Sequence, residues 1–286
     1  MRSFFRESLL LLFLLSACQP KIVDIHDNHI GCPPEEISAG TCKLAEEGAR
    51  NVDIFDDLNS GLVRTEPVSY SEGVAGYLAQ PTAKDTYPGI IMIHEWWGLN
   101  DNIKYMAGLL AQEGYVVLAV DLYGEVAQTP DRARELVSAA RANPEKAVAN
   151  MKTAAAYLRT LPNVDREKIA SMGWCFGGGQ SLQLALSGEK LAATVIYYGN
   201  LIDDKKQLSV ISWPVLGIFG EEDTGIPVSS VEAFKQSLDE LGVANEIHIY
   251  PGVGHAFANP SGERYAPDET KDAWEKTVKF LKTNLR

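Results

Sequence analysis

The segment Ser171 to Gln180 reads Ser-Met-Gly-Trp-Cys-Phe-Gly-Gly-Gly-Gln. Its centre, Gly173-Trp174-Cys175-Phe176-Gly177, is a G-x-C-x-G pattern with cysteine where such turns commonly carry a nucleophilic serine. A pattern of this kind makes a sharp strand-to-helix turn and raises its middle side chain above a parallel sheet. The two glycines belong to that turn, because a β-carbon at either place would strike neighbouring backbone. The chemistry it suits is acyl transfer, with the Cys175 sulfur attacking a carbonyl carbon. A thiol at its reference pKa of about 8.5 is only a few per cent thiolate at neutral pH, so it needs a base or a helix N-terminus beside it. The helix leaving the turn supplies one of these.

For the base, the expected order along the chain is nucleophile, acid, histidine. His255 sits in the turn Pro251-Gly252-Val253-Gly254-His255-Ala256-Phe257, directly after an expected strand, whereas His248 lies inside that strand and reads as structural. Between nucleophile and histidine, Gly220-Glu221-Glu222-Asp223-Thr224-Gly225-Ile226-Pro227 follows another strand end, which makes Asp223 the preferred orienting acid, with Glu221 and Glu222 as alternatives. Singly, each residue has an ordinary reading: buried filler, a satisfied polar group, a solvated acidic turn. Together they stand at the C-terminal ends of strands, where open α/β sheets place their sites. The oxyanion formed by attack would be met by the backbone N–H of Phe176 and by one from the loop after His94, with Trp96 as the expected second donor. Glu95, in the same loop, places a carboxylate beside the turn.

The elements that must hold these residues follow from hydrophobic periodicity. Alternation in Val74 to Ala79, within the stretch Val63 to Gln80, predicts antiparallel strands. Pro88 to His94 is a short, wholly apolar run of the kind buried on both faces of a parallel sheet, and Tyr115 to Val120 is another. A helix is expected from about Asn102 to Gln112, closed by Gly114, and a second from Pro144 to about Arg159 with Asn143 as its N-cap. Ile169 to Trp174 feeds the turn and Phe176 to Leu186 leaves it as a helix. Strands at Ala192 to Tyr198, Val215 to Gly220 and Glu246 to Tyr250 alternate with helices at Val228 to Leu241 and Pro267 to Thr283. That alternation predicts an α/β fold with a mostly parallel central sheet and helices on both faces.

Two features stand outside this domain of residues 61–286. Arg2 and Arg6 precede an apolar run from Leu9 to Leu15, too short for the roughly 20 residues that span a bilayer, so residues 1–17 read as a signal peptide. Leu15-Ser16-Ala17-Cys18 resembles a bacterial lipobox, which makes Cys18 the expected lipid site and places the chain in the cell envelope, exported and anchored to membrane through lipid. Residues 18–60 are polar and without period, a tether and surface extension. They hold Cys32 and Cys42, and an exported chain lives where disulfides persist. A bridge closing so short a loop is worth roughly 2 to 3 kcal/mol; a zinc site built from His26, His29, Cys32 and Cys42 is the alternative.

Composition narrows the classes further. A hydrophobic content of 45% with 22% charged residues over 286 residues is that of a globule able to bury a large core. A mean hydropathy slightly below zero argues against a multi-span membrane protein. A formal net charge of −12 argues against nucleic acid as a partner, since phosphate binding needs clustered Lys and Arg. No dinucleotide fingerprint, P-loop or compelling metal set appears, so neither cofactor nor metal is expected. The expected partner is a small-molecule ester or lactone, taken by a monomer.

From about Tyr70 onward the chain resembles the dienelactone hydrolase family. The matching pieces are Ile93-His94-Glu95-Trp96-Trp97-Gly98-Leu99-Asn100, Asp121-Leu122-Tyr123, Gly173-Trp174-Cys175-Phe176-Gly177-Gly178, Gly220-Glu221-Glu222-Asp223 and Gly254-His255-Ala256-Phe257. The resemblance implies an α/β-hydrolase fold and a carboxymethylenebutenolidase-like activity on a Cys175, His255, Asp223 triad. It also implies that Glu95 holds the resting thiol and takes its proton when substrate displaces it. In that family two arginines hold the substrate carboxylate; Arg134 falls where the first is expected, with Arg132 close by, and Asn259 stands where the second is expected. Tyr123 joins them as an expected substrate contact. Ser138 and Arg141 replace two aromatic positions, so the catalytic core is kept while the specificity shell differs. The competing readings are a thioesterase or peptidase on the same triad, and a non-catalytic envelope protein that captures a ligand.

Overall fold

The computed structural model describes residues 61–286. The expected signal peptide, the lipid site Cys18, the Cys32 and Cys42 bridge and the zinc alternative with His26 and His29 all lie outside the described residues.

Eight strands form one sheet: β1 (Val63–Ser71), β2 (Val74–Pro81), β3 (Tyr87–Ile93), β4 (Val116–Val120), β5 (Val164–Trp174), β6 (Ala193–Tyr197), β7 (Val215–Gly220) and β8 (Asn245–Tyr250). Their order across the sheet is β1-β2-β4-β3-β5-β6-β7-β8. The hairpin β1-β2 is antiparallel and joins β4 in antiparallel sense. From β4 to β8 every pairing is parallel. All the parallel strands therefore point their C-terminal ends to one edge, and the site has to be there.

Seven helices connect and cover these strands among the described residues: α1 (Asp101–Gln112), α2 (Pro130–Ala142), α3 (Pro144–Thr160), α4 (Phe176–Leu186), the single turn α5 (Lys205–Leu208), α6 (Val228–Glu240) and α7 (Pro267–Leu285). The two-residue period of a strand decides which layer each side chain joins. In β3, Ile90 and Met92 pack with Ile103, Met106 and Leu110 of α1 and with Phe280 and Leu281 of α7. Ile91 and Ile93 point the other way, to Met151, Ala154 and Leu158 of α3, Leu182 of α4 and Phe234 of α6. Burial on both faces is why β3 and β4 read as unbroken apolar runs instead of alternating ones.

Helix ends obey local rules. The Asn100 side chain accepts from the Ile103 N–H at 3.2 Å and starts α1. Gly114 ends it at φ +86°, a conformation that side chains with a β-carbon avoid. Asn143 departs from expectation. It stands at the N-cap position of α3, but its side chain makes no capping bond there; Nδ2 donates instead to the Ala139 carbonyl at 3.2 Å. The reason is α2, a helix that periodicity did not predict and that ends at this residue, so Asn143 closes one helix while Pro144 opens the next. Strand β5 likewise starts at Val164, earlier than Ile169: Val164 and Asp165 pair with Tyr87 and Pro88 before a break in register, and the regular pairing resumes at Ile169 with Gly89.

Candidate active site

Strand β5 ends at Trp174 and α4 starts at Phe176, leaving one residue for the turn. Cys175 takes φ 55° and ψ −118°, a conformation that costs a residue bearing a β-carbon on the order of 1 to 3 kcal/mol. It is held there from both sides: its N–H donates to the Tyr197 carbonyl at 2.9 Å and its carbonyl accepts from Gly179 at 3.2 Å. The glycines are needed for the reason the spacing suggested. A β-carbon on Gly173 would collide with the Gly177 carbonyl, and one on Gly177 with the carbonyl oxygens of Ile93 and His94. The turn is thus pressed against the end of β3, which brings the Glu95 and Trp96 loop beside the thiol.

The chain brings the three expected triad residues together from the ends of β5, β7 and β8. His255 Nε2 lies 3.1 Å from Cys175 Sγ, and Nδ1 lies 2.7 Å from Asp223 Oδ2. The other oxygen of Asp223 accepts from the N–H groups of Gly225 at 2.8 Å and Ile226 at 3.0 Å. Those amides leave Oδ2 free to face the histidine. Burial opposes the charge of Asp223, but the His255 contact and the two amides hold its carboxyl below its ordinary value. Burial likewise opposes the protonated imidazole, yet the hydrogen bonds to Asp223 and Cys175 outweigh it and push His255 up to about 10. The alternatives Glu221 and Glu222 are exposed, and Glu221 accepts from the Gly252 N–H at 3.2 Å.

Glu95 is buried, but it does not hold the thiol as expected. Its Oε2 accepts from Asn259 Nδ2 at 2.5 Å and its Oε1 from the Tyr198 hydroxyl at 3.5 Å, while Cys175 is turned to His255. The cause is Asn259. Its Oδ1 accepts from both the N–H and the hydroxyl of Ser261, at 2.9 and 2.7 Å, so its amide nitrogen has to point at Glu95. Burial pushes Glu95 up to about 7, against lowering contributions from His255, Tyr198 and Asn259. Beside it lies a cavity of about 10 Å³ lined by Asn102, Met106, Trp174, Tyr198 and Asn259, the size of one water molecule.

The two expected oxyanion donors are both unspent. Phe176 is the first residue of α4, so its N–H has no intrahelical acceptor. The Trp96 N–H takes no backbone acceptor among the described residues. His94, to which sequence reasoning gave no role, ties this region together. Its Nε2 accepts from the Leu122 N–H at 3.2 Å, so Nδ1 carries the proton and donates to the Glu95 carbonyl at 2.6 Å. Burial holds His94 below its ordinary pKa, which keeps it neutral. Its ring meets Tyr123 edge-on at 4.6 Å and stacks on Phe176 at 6.0 Å. The signal was present in the sequence as a histidine ending a wholly apolar strand.

The expected substrate contacts fare unequally. Tyr123 is at the site: its ring is 5.4 Å from that of Phe176, and its buried hydroxyl has no protein partner. Burial first, and then Cys175, raises its pKa. Arg134 is not at the site. Helix α2 turns Ala133 and Leu136 inward onto Trp96, Trp97 and Tyr123, so the next residue, about 100° further round the helix, faces solvent. There Arg134 is 64% exposed and pairs with Asp131 one turn earlier. Arg132 is bound to Glu125 and Glu135, at 2.5 and 2.7 Å. Asn259 is only 7% exposed and spent on Glu95. No carboxylate clamp is therefore assembled from these positions.

Known proteins bear on this arrangement. The profile of the dienelactone hydrolase family matches residues 74–285. A protein of Aquifex pyrophilus named protein usf is 35% identical over 219 residues, covering 74% of this chain and 94% of its own. A protein of Synechocystis sp., provisionally named a carboxymethylenebutenolidase, is 31% identical over 231 residues, 74% of this chain and 93% of its own. Among solved structures, a dienelactone hydrolase-like promiscuous phosphotriesterase from metagenomic libraries superposes with a TM-score of 0.73 at 23% identity, over 79% of this chain and 100% of that one. At that identity the superposition speaks for the fold: an α/β hydrolase sheet flanked by helices.

Proposed function

The chain belongs to the dienelactone hydrolase family, and from that premise we propose that it opens carboxylic ester or lactone bonds through a thioester formed on Cys175. The observation that carries the reading is the unbroken line from Asp223 Oδ2 through His255 to Cys175 Sγ, at 2.7 and 3.1 Å. In this mechanism His255, favoured as the imidazolium, holds the thiol proton at Nε2, and the sulfur attacks the carbonyl carbon. The negative oxygen is met by the N–H groups of Phe176 and Trp96. Collapse breaks the C–O bond, and the leaving oxygen takes the proton from His255. Water then attacks the thioester with His255 as base, and the acid and the thiol are regenerated. Asp223 keeps the proton of Nδ1 in place and favours the imidazolium that forms in each half.

The preferred substrate is a neutral ester or lactone. Arg134 faces solvent and Asn259 is turned to Glu95, so neither offers a charge to a substrate carboxylate. The apolar surface of Trp96, Trp97 and Tyr123 against α2 suits an uncharged organic group instead. The decisive test is Cys175→Ala with p-nitrophenyl acetate, read together with intact mass. The wild type should show a burst and a mass gain of one acetyl group on Cys175, and the variant neither. Turnover by the variant at the wild-type rate would end the proposal.

A further inference from the structure

The fully buried His94 touches both residues that carry the expected oxyanion donors, one through a peptide bond and one through its ring. Nδ1 donates at 2.6 Å to the Glu95 carbonyl, and the imidazole stacks at 6.0 Å on the ring of Phe176. The first contact fixes more than an oxygen. The Glu95 carbonyl and the Trp96 N–H belong to one trans peptide plane and point in opposite directions, so holding the oxygen sets the direction of the N–H. Gly98 N–H donates to the same oxygen at 3.3 Å, the longer of the two bonds.

The far side of the ring keeps Nδ1 a donor. Nε2 accepts from the Leu122 N–H at 3.2 Å, in a turn that is itself tied down. Asp121 Oδ1 accepts there from the Tyr123 and Gly124 N–H groups at 2.9 and 2.8 Å, and the Asp121 carbonyl accepts from Asn150 Nδ2 of α3 at 3.0 Å. Because Leu122 occupies the lone pair of Nε2, the single proton of a neutral imidazole sits on Nδ1. Burial favours that neutral form.

We propose that His94 is a positioning residue that aims the Trp96 N–H at the oxyanion, by presenting Nδ1–H to the Glu95 carbonyl from an anchor at Leu122. The proposal rests on the reading of Cys175 as nucleophile. His94 gains and loses no proton in either half of that reaction. Its effect is confined to steps in which a carbonyl oxygen becomes negative.

The test compares His94→Gln with His94→Asn, each checked by a thermal melt. Glutamine can set its oxygen where Nε2 accepts from Leu122, but it places no donor at the Nδ1 position. Asparagine sets its amide nitrogen near that position and does not reach Leu122. Two reactions of Cys175 are timed: acylation by p-nitrophenyl acetate, which makes an oxyanion, and alkylation by iodoacetamide, which displaces iodide at a saturated carbon and makes none. Removing an oxyanion donor outright costs about 10²- to 10³-fold in rate, so a donor left in place but no longer aimed costs about tenfold to a hundredfold. H94Q should lose that much in the maximal rate of the acylation burst, while its alkylation stays within about threefold of the wild type, since the thiol still answers to His255. H94N should lose less than H94Q. Acylation and alkylation falling together would overturn the proposal and leave His94 as packing for the turn. So would an H94Q burst within about threefold of the wild-type rate, or an H94N slower than H94Q. NMR of the ring nitrogens in the wild type adds a check that needs no variant: His94 should carry its proton on Nδ1, and a proton on Nε2 would overturn the proposal even where neither replacement folds. Alkylation and the ring tautomer need no ester turnover. A failure of the hydrolase reading, seen as an active C175A, is therefore told apart from a failure at His94.

Discussion

Replacing Asp223 by Asn should remove most of the activity while leaving the fold in place, and the hydrogen bonds around the carboxylate say why. Asp223 Oδ1 accepts two backbone N–H groups, from Gly225 and Ile226, and Oδ2 faces the imidazole. An asparagine has one oxygen, and the two amides claim it. Its NH₂ group then points at His255 Nδ1 and donates to it, which moves the ring proton to Nε2, opposite the sulfur. In that tautomer His255 cannot accept the thiol proton. The charge-assisted hydrogen bond is lost as well, worth about 2 kcal/mol, and burial is left to pull the imidazole down from about 10. Loss of the hydrogen bond alone predicts roughly a 30-fold fall; the trapped tautomer brings the fall in kcat/KM to about 10³- to 10⁴-fold, as in other triads. The assay is steady-state hydrolysis of p-nitrophenyl acetate at pH 7.5, with a thermal melt as control. Activity within tenfold of the wild type, in a variant that melts normally, would refute the assignment of Asp223 as the residue that orients His255.

Two further outcomes follow from packing and from charge. Gly177→Ala would drive a β-carbon into the carbonyl oxygens of Ile93 and His94, which are backbone and cannot move aside; the expected loss is about 3 kcal/mol, or about 10 °C in Tm, and a melt within about 2 °C of wild type would contradict it. Glu95 keeps its proton up to about 7 when folded, against 4.5 ordinarily, so between those values stability falls as pH rises, and above about 7 the burden is complete. Glu95→Gln carries no such burden: its stability relative to wild type should grow from nothing near pH 4.5 to on the order of 3 kcal/mol at pH 8. Urea melts at the two pH values that give the same difference would show that Glu95 does not titrate in this range.

The triad could be read from the chain because its members mark places where the pattern changes. Cys175 sits in a tight turn between Gly173 and Gly177, and Asp223 and His255 each fall in the turn after a strand, so the chemistry coincides with the punctuation of the fold. Helix α2 was missed because it is polar overall: it buries only Ala133 and Leu136 among Arg, Glu, Asp and Ser, although Thr129-Pro130 marks its start as an N-cap before a proline. The family resemblance put Arg134 in the site, whereas the face of α2 that it occupies turns it to solvent. The contact between Glu95 and Asn259 was illegible for another reason. It joins residues 164 positions apart, and its direction is fixed by Ser261, whose hydroxyl and N–H look like ordinary loop chemistry. Local pattern reaches the end of each strand; what one loop does to another depends on which loops the sheet order makes neighbours.

Among the described residues, positive φ outside glycine occurs at Cys175, Tyr198 and Ala256: the first carries the sulfur, the second lays its ring against His255 and the third follows His255 in the chain. A protein selected only for heat resistance would shed such tension at Ala256, where glycine relieves about 1 kcal/mol of backbone repulsion, whereas at Tyr198 the fully buried ring outweighs the strain. Glycine at Ala256 would also loosen the chain that carries His255. Improvement by thermal screening and preservation of turnover therefore part company at this position, while elsewhere in the sheet they run together.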